Sequence, residues 1–137
     1  MAALTADRAT AKRPGDRFSF DVAASVTCRG GGIAVLDASG NVKPGVTGTG
    51  LICAGAFVDE VNNAAGAAAA VKAEVESGVF RFGNSAAGDA ITKAEIGDTC
   101  YIVDDQTVAK TDGTGTRSAA GKIVDVDSAG VWVRMGL

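Results

Sequence analysis

From Asp98 to Met135 the chain is a succession of short β-branched runs separated by acidic and glycine-containing clusters, and few folds accept that pattern. Tyr101, Val103 and Val108, then Ile123, Val124 and Val126, then Val131 and Val133 around Trp132 form the runs. They are broken at Asp104-Asp105, at Asp112-Gly113-Thr114-Gly115 and at Asp127-Ser128-Ala129-Gly130. β-branched side chains suit a pleated, half-buried surface, and Asp and Gly supply tight reversals. The pattern predicts a meander of hairpins. Nothing in it has the look of an active site.

Upstream the same logic continues. Residues 1–17 show no period and carry the breaker Pro14-Gly15, so they read as an extended arm. Strands are predicted at Phe18–Val22, Ser25–Cys28, Ile33–Leu36 and Val42–Val46, the last demoted to an edge by Pro44. Thr47–Gly50 reads as a flexible link, and Leu51–Val61 as one longer strand bulged at Gly55. The alanine-rich stretch 64–76 is ambiguous: its composition favours a helix, yet Val71, Ala73 and Val75 alternate with Lys72, Glu74 and Glu76. A strand places all three charges on one wet face, so a loop through Ala67 and a strand over 69–77 are expected. Val79–Phe82 is a further strand. Thr92-Lys-Ala-Glu95 has the spacing of a capping box and predicts one turn of helix. Nine or ten short strands with almost no helix indicate an all-β fold, a small β-sandwich or barrel of short antiparallel strands with an extended N-terminal arm. The division expected is an arm over 1–17 and a single β domain over 18–137.

Composition bounds what the fold can do. The 137 residues include 19 glycines and only 5% aromatics, with much of the 47% hydrophobic fraction being alanine. Small side chains bury little area each, so extra burial at a subunit or partner interface is expected. The net charge is −3 and is unevenly spread. Residues 1–17 hold four basic groups against two acidic ones, and the remaining 120 hold nine against fourteen. A basic arm on an acidic body can orient a protein on a partner, while overall acidity argues against nucleic-acid binding. Cys28, Cys53 and Cys100 are widely spaced, with no CxxC pair, and read as small buried hydrophobes in a reducing compartment. The N-terminus lacks the pattern of a signal peptide and no window has the length of a membrane span. Synthesis in a cytoplasm and no membrane partner are therefore expected.

The chain has no histidine, which removes the usual general base and the commonest metal ligand together. Paired carboxylates are what remains. Asp104-Asp105 reads as turn capping, and Asp125 and Asp127, with Asp112, form at most a weak hard-cation site lacking the spacing of a calcium loop. Gly30-Gly31-Gly32 and Gly113-Thr114-Gly115 are not followed by the Lys-Ser/Thr of a phosphate loop. No catalytic residue, cofactor or metal site is assigned. Trp132 faces opposite to both neighbouring valines on strict alternation, so either the sheet is covered on both sides or Trp132 sits at an interface.

Several segments carry a wider likeness: Leu4-Thr-Ala-Asp-Arg8, Val79-Phe-Arg-Phe-Gly-Asn-Ser-Ala-Ala-Gly-Asp-Ala90, Gly97 to Thr111, Arg117 to Asp127, and Val131-Trp-Val133. Across most of its length the chain resembles the capsid cement, or head decoration, proteins of tailed bacteriophages and prophages. The resemblance implies an all-β body with a terminal arm that binds the outer surface of the major capsid shell and stabilises it, without catalysis. It implies the major capsid protein as partner, a virion-exterior location after synthesis in a bacterial cytoplasm, and a homo-oligomer, with a trimer favoured over dimer or monomer. No motif of the family fixes a shell-binding position. Partner-binding candidates are Leu4, Arg8, Lys12, Arg13 and Arg17 of the arm, and Trp132. The alternative expectation is another virion part, such as a tail-tube, head-fibre or receptor-binding module.

Overall fold

Twelve strands carry the chain in the computed structural model, which describes residues 2–137. They are β1 (Arg17–Asp21), β2 (Val26–Cys28), β3 (Ile33–Leu36), β4 (Val42–Pro44), β5 (Ile52–Phe57), β6 (Val61–Asn63), β7 (Lys72–Glu76), β8 (Gly78–Asn84), β9 (Thr99–Ile102), β10 (Thr107–Ala109), β11 (Ala119–Asp127) and β12 (Gly130–Met135). Two single turns of 3₁₀ helix, Ala87–Asp89 and Lys93–Glu95, are the only helical segments described. The second has the expected capping box: the Thr92 hydroxyl accepts from the Ala94 amide and Glu95 accepts from the Thr92 amide. The fold is all-β, as the periodicity requires.

The strands form three layers. A closed barrel runs β10-β8-β12-β11-β9, a five-stranded sheet runs β1-β7-β5-β3-β4, and β2 pairs with β6 as a short ribbon. Ile33, Val35 and Ala56 of the sheet pack into the barrel's core with Ile102, Ile123, Val131 and Val133. On the opposite face Ala34, Ala54, Phe57, Ala73 and Val75 join Val22, Cys28 and Val42 in a second core. The five-stranded sheet is thus buried on both sides, which explains why β3 is apolar without alternation.

A bulge makes this double coverage possible. Ala34 pairs with Gly55 but Val35 pairs with Cys53, so Ala54 is the extra residue on β5. The extra residue shifts the alternation by one, letting Cys53 and Ala56 share the barrel-facing side. Gly55 has φ +132°, and a Cβ there would overlap the Glu76 carbonyl oxygen. Only glycine fits.

Several expectations need correction. Leu51–Val61 is two strands, because the chain breaks at Val58–Glu60 to send β6 across to β2. The ambiguous stretch resolves as β7, with Ala73 and Val75 buried and the charged residues outward. Its alanines form turns pinned by buried Asn63, whose side-chain amide donates to the Ala23 and Ala67 carbonyls at 2.9 and 3.0 Å. Thr47–Gly50 is anchored rather than flexible: Thr47 donates to the Val103 carbonyl and Ser118 donates to that of Gly48. The C-terminal strands are not a simple meander either. β11 returns beside β9, leaving β10 to close the ring by a parallel pairing with β8. The arm ends at Asp16, since Arg17 already opens β1; Met1 lies outside the described residues.

Candidate functional site

The arm and the outer face of the barrel are where the structure presents chemistry to the surroundings. Residues 2–16 contain no strand or helix and are exposed throughout, Leu4 to 72%. Among the described residues Arg8, Lys12 and Arg13 have no ion-pair partner. Arg13 instead lies over the Phe18 ring at 5.1 Å, a cation–π contact that bends the arm back past Pro14-Gly15. The arm leaves the body where the Asp16 carbonyl accepts from the Ser77 amide at 2.8 Å. Arg17 belongs to the sheet, 3.6 Å from Glu74 and 3.7 Å from Glu76.

Trp132 is on the barrel's exterior. Val131 and Val133 are fully buried while Trp132 is half-buried between Asp125 of β11 and Arg81 of β8. Its indole N–H donates to Asp127 Oδ2 at 2.9 Å, and the Arg81 guanidinium lies 5.7 Å from its ring. Trp132 belongs to neither core, and its outward ring is held by these polar partners. The next rung along the same wall is Lys122–Arg134–Val79. Val79 and Val124 are exposed there too. Arg81, Lys122 and Arg134 form no ion pair among the described residues. The outer wall therefore joins basic groups to an aromatic and two valines. Arg81, Lys122 and Arg134 were not singled out in the sequence; the strict two-residue alternation around Trp132 held the signal that could have found them. No hydrogen bond, ion pair or ring stacking joins Leu4, Arg8, Lys12 or Arg13 to Trp132 among the described residues.

Three of the acidic candidates, Asp104, Asp125 and Asp127, accept from backbone amides. Asp127 Oδ1 accepts from the Ala129 and Gly130 amides at 2.8 and 3.0 Å, capping the β11–β12 turn. The Trp132 indole, more than these amides, holds its carboxyl below the usual carboxylate range. Asp125 accepts from its neighbour Val126, and Asp104 accepts from Gln106 at 2.9 Å. Asp112 sits in a separate loop, where its carbonyl accepts from Thr116 and Arg117. No three metal-ligating side chains converge among the described residues.

A depression of about 390 Å³ is lined by Arg29, Gly30, Gly31, Gly32, Asp105 and Gln106. It does not cradle an anion. The Gly31 amide donates to Phe57, that of Gly32 to Arg29 and that of Ile33 to Asp105, while Arg29 pairs with Glu60 at 2.8 Å. With those donors spent, the glycines act as the turn between β2 of the ribbon and β3 of the five-stranded sheet. Among the described residues no helix is long and apolar enough to cross a membrane.

No family model, curated protein or solved structure matches this chain.

Proposed function

We propose that the protein is a virion structural component that binds the outer surface of a major capsid shell and stabilises it, as capsid cement. The observation that carries this reading is the combination of an extended, exposed basic arm with a body in which Asp104 and Asp127 are engaged in capping turns. The resemblance of the sequence to head decoration proteins points the same way. A cement must add contact area in a repeated lattice without catalysing a reaction, and an acidic body avoids the packaged nucleic acid. The arm orders on its partner at an entropic cost, so it contributes affinity only where the shell supplies complementary charge and apolar contacts. Trp132, framed by Arg81 and Asp127, is a second contact in this reading.

Deleting residues 1–15 keeps the Asp16 carbonyl that Ser77 uses, so the truncated body folds with unchanged far-UV circular dichroism. Its co-sedimentation with purified shells is expected to fall at least about 10-fold in affinity. Unchanged co-sedimentation would count against the capsid reading. Mass spectrometry of separated heads and tails assigns the protein to one or the other; recovery with tails alone replaces this reading by a tail-component one.

A further inference from the structure

One cross-strand pair on the outer wall of the barrel works against the fold. Lys122 of β11 stands directly opposite Arg134 of β12, and both are exposed. Side chains so opposed have Cβ atoms about 4.5–5.5 Å apart, and like charges there are destabilising. No carboxylate relieves this pair from the neighbouring strands: Arg134 has Val79 on its other side, and Lys122 has Thr99. Among the described residues Arg29, Lys72, Lys110 and Arg117 of the body form ion pairs, whereas Lys43, Arg81, Lys93, Lys122 and Arg134 do not. Three of those five unpaired cations share this wall, because Arg81 stands beside Trp132 on the adjacent outward rung. Asp125 and Asp127 border that rung, but neither forms an ion pair with the three.

We propose that this wall is a docking surface for an acidic protein segment. Its carboxylates settle between Lys122 and Arg134 and beside Arg81, while an apolar side chain lies against Trp132, Val79 and Val124. A carboxylate bound there adds an attraction and also removes a repulsion built into the ladder. The wall therefore gains more from an acidic partner than an isolated surface lysine would. Tryptophan and arginine are the side chains that most often dominate protein contacts, and exposed Val79 and Val124 extend the apolar part of the patch. A protein segment suits the wall better than nucleic acid does. The cations cover two adjacent rungs rather than a track, and residues 18–137 hold nine basic groups against fourteen acidic ones, which repels a long polyanion. The chain's own arm carries the wrong sign to be the occupant, with four basic groups against two acidic ones.

The inference stands apart from the capsid reading, and its test needs no shells. Trp132 is the only tryptophan, so its fluorescence reports binding at the wall rather than at the arm. Titration of the full chain at low ionic strength with a short blocked peptide alternating glutamate and leucine is expected to give a saturable change, with Kd of about 1 mM or tighter. The matching lysine–leucine peptide produces none. Amide chemical shifts move at Val79, Arg81, Lys122, Trp132 and Arg134. Lys122→Thr combined with Arg134→Thr is expected to weaken binding at least about 10-fold. Both positions are exposed, so circular dichroism of this variant matches the wild type. Arg134→Glu replaces the repulsion with an attraction, so its urea midpoint rises while peptide binding is lost. An unchanged or lower midpoint for Arg134→Glu, chemical shifts confined to the arm, or an oligothymidylate of equal charge binding as tightly as the acidic peptide overturns the proposal.

Discussion

Asp127 shows how one side chain can serve a turn and a surface aromatic together. Its Oδ1 takes two turn amides while Oδ2 takes the Trp132 indole. Because its pKa is lowered in the folded state, the contact is intact above the usual carboxylate value and is lost as pH falls through the lowered one. Trp132 is the only tryptophan, so its fluorescence reports this carboxylate directly. An acid titration is expected to show a transition with its midpoint below about 3.9, and Asp127→Asn abolishes it. A transition at the ordinary value in both proteins would mean that the indole contact is not formed in solution. The outward placement of Trp132 was legible from the sequence, since Val131 and Val133 flank it and a strand alternates. Its partners were not: Asp127 reads as a turn residue, and Arg81 is separated from it by 51 positions of sequence.

At the scale of elements, the bulge in β5 decides how the layers stack. Gly55→Ala forces a Cβ against the Glu76 carbonyl and a non-glycine residue into φ +132°. The expected cost is about 2–3 kcal/mol, measured by urea denaturation. Gly40→Ala, at a turn with positive φ and open space around it, provides the comparison, losing only the conformational part at about 1 kcal/mol. Equal losses would show that the close approach of β5 to β7 does not matter. The strands and this bulge were readable because β-branched alternation and an isolated glycine are local signals. The split of β5 from β6 was not, since Leu51–Val61 is continuously suitable for a strand. What breaks it is β6's pairing with β2 at residues 26–28, a contact no local window contains. The return of β11 beside β9 was hidden for the same reason. Hairpin logic assumes that neighbours in sequence are neighbours in the sheet, and closure of a ring overrides it.

For the molecule as a whole, the three cysteines tie stability to alkaline pH. Burial pushes the thiols of Cys28 and Cys53 up to about 11 and that of Cys100 to about 12. The folded chain holds them protonated, whereas an unfolded chain ionises its thiols at about 8.5. Their contribution is complete below that value and declines as pH rises towards 11–12. Urea midpoints are expected to fall across this window, and replacing Cys28 and Cys100 by Ala flattens the fall. A thiol reagent at neutral pH reacts with neither residue until the protein unfolds; rapid labelling of both in the native state would refute their burial. That the cysteines are core residues was readable from their apolar surroundings, while the joining of sheet and barrel through two separate cores was not. A further consequence lies in how the ring is closed. Its only parallel junction, β8 against β10, has two register partners, Thr107 with Gly83 and Val108 with Asn84. A seam of two rungs, against five between β8 and β12, gains little until the rest of the ring is assembled, so it closes late during folding and parts readily under load.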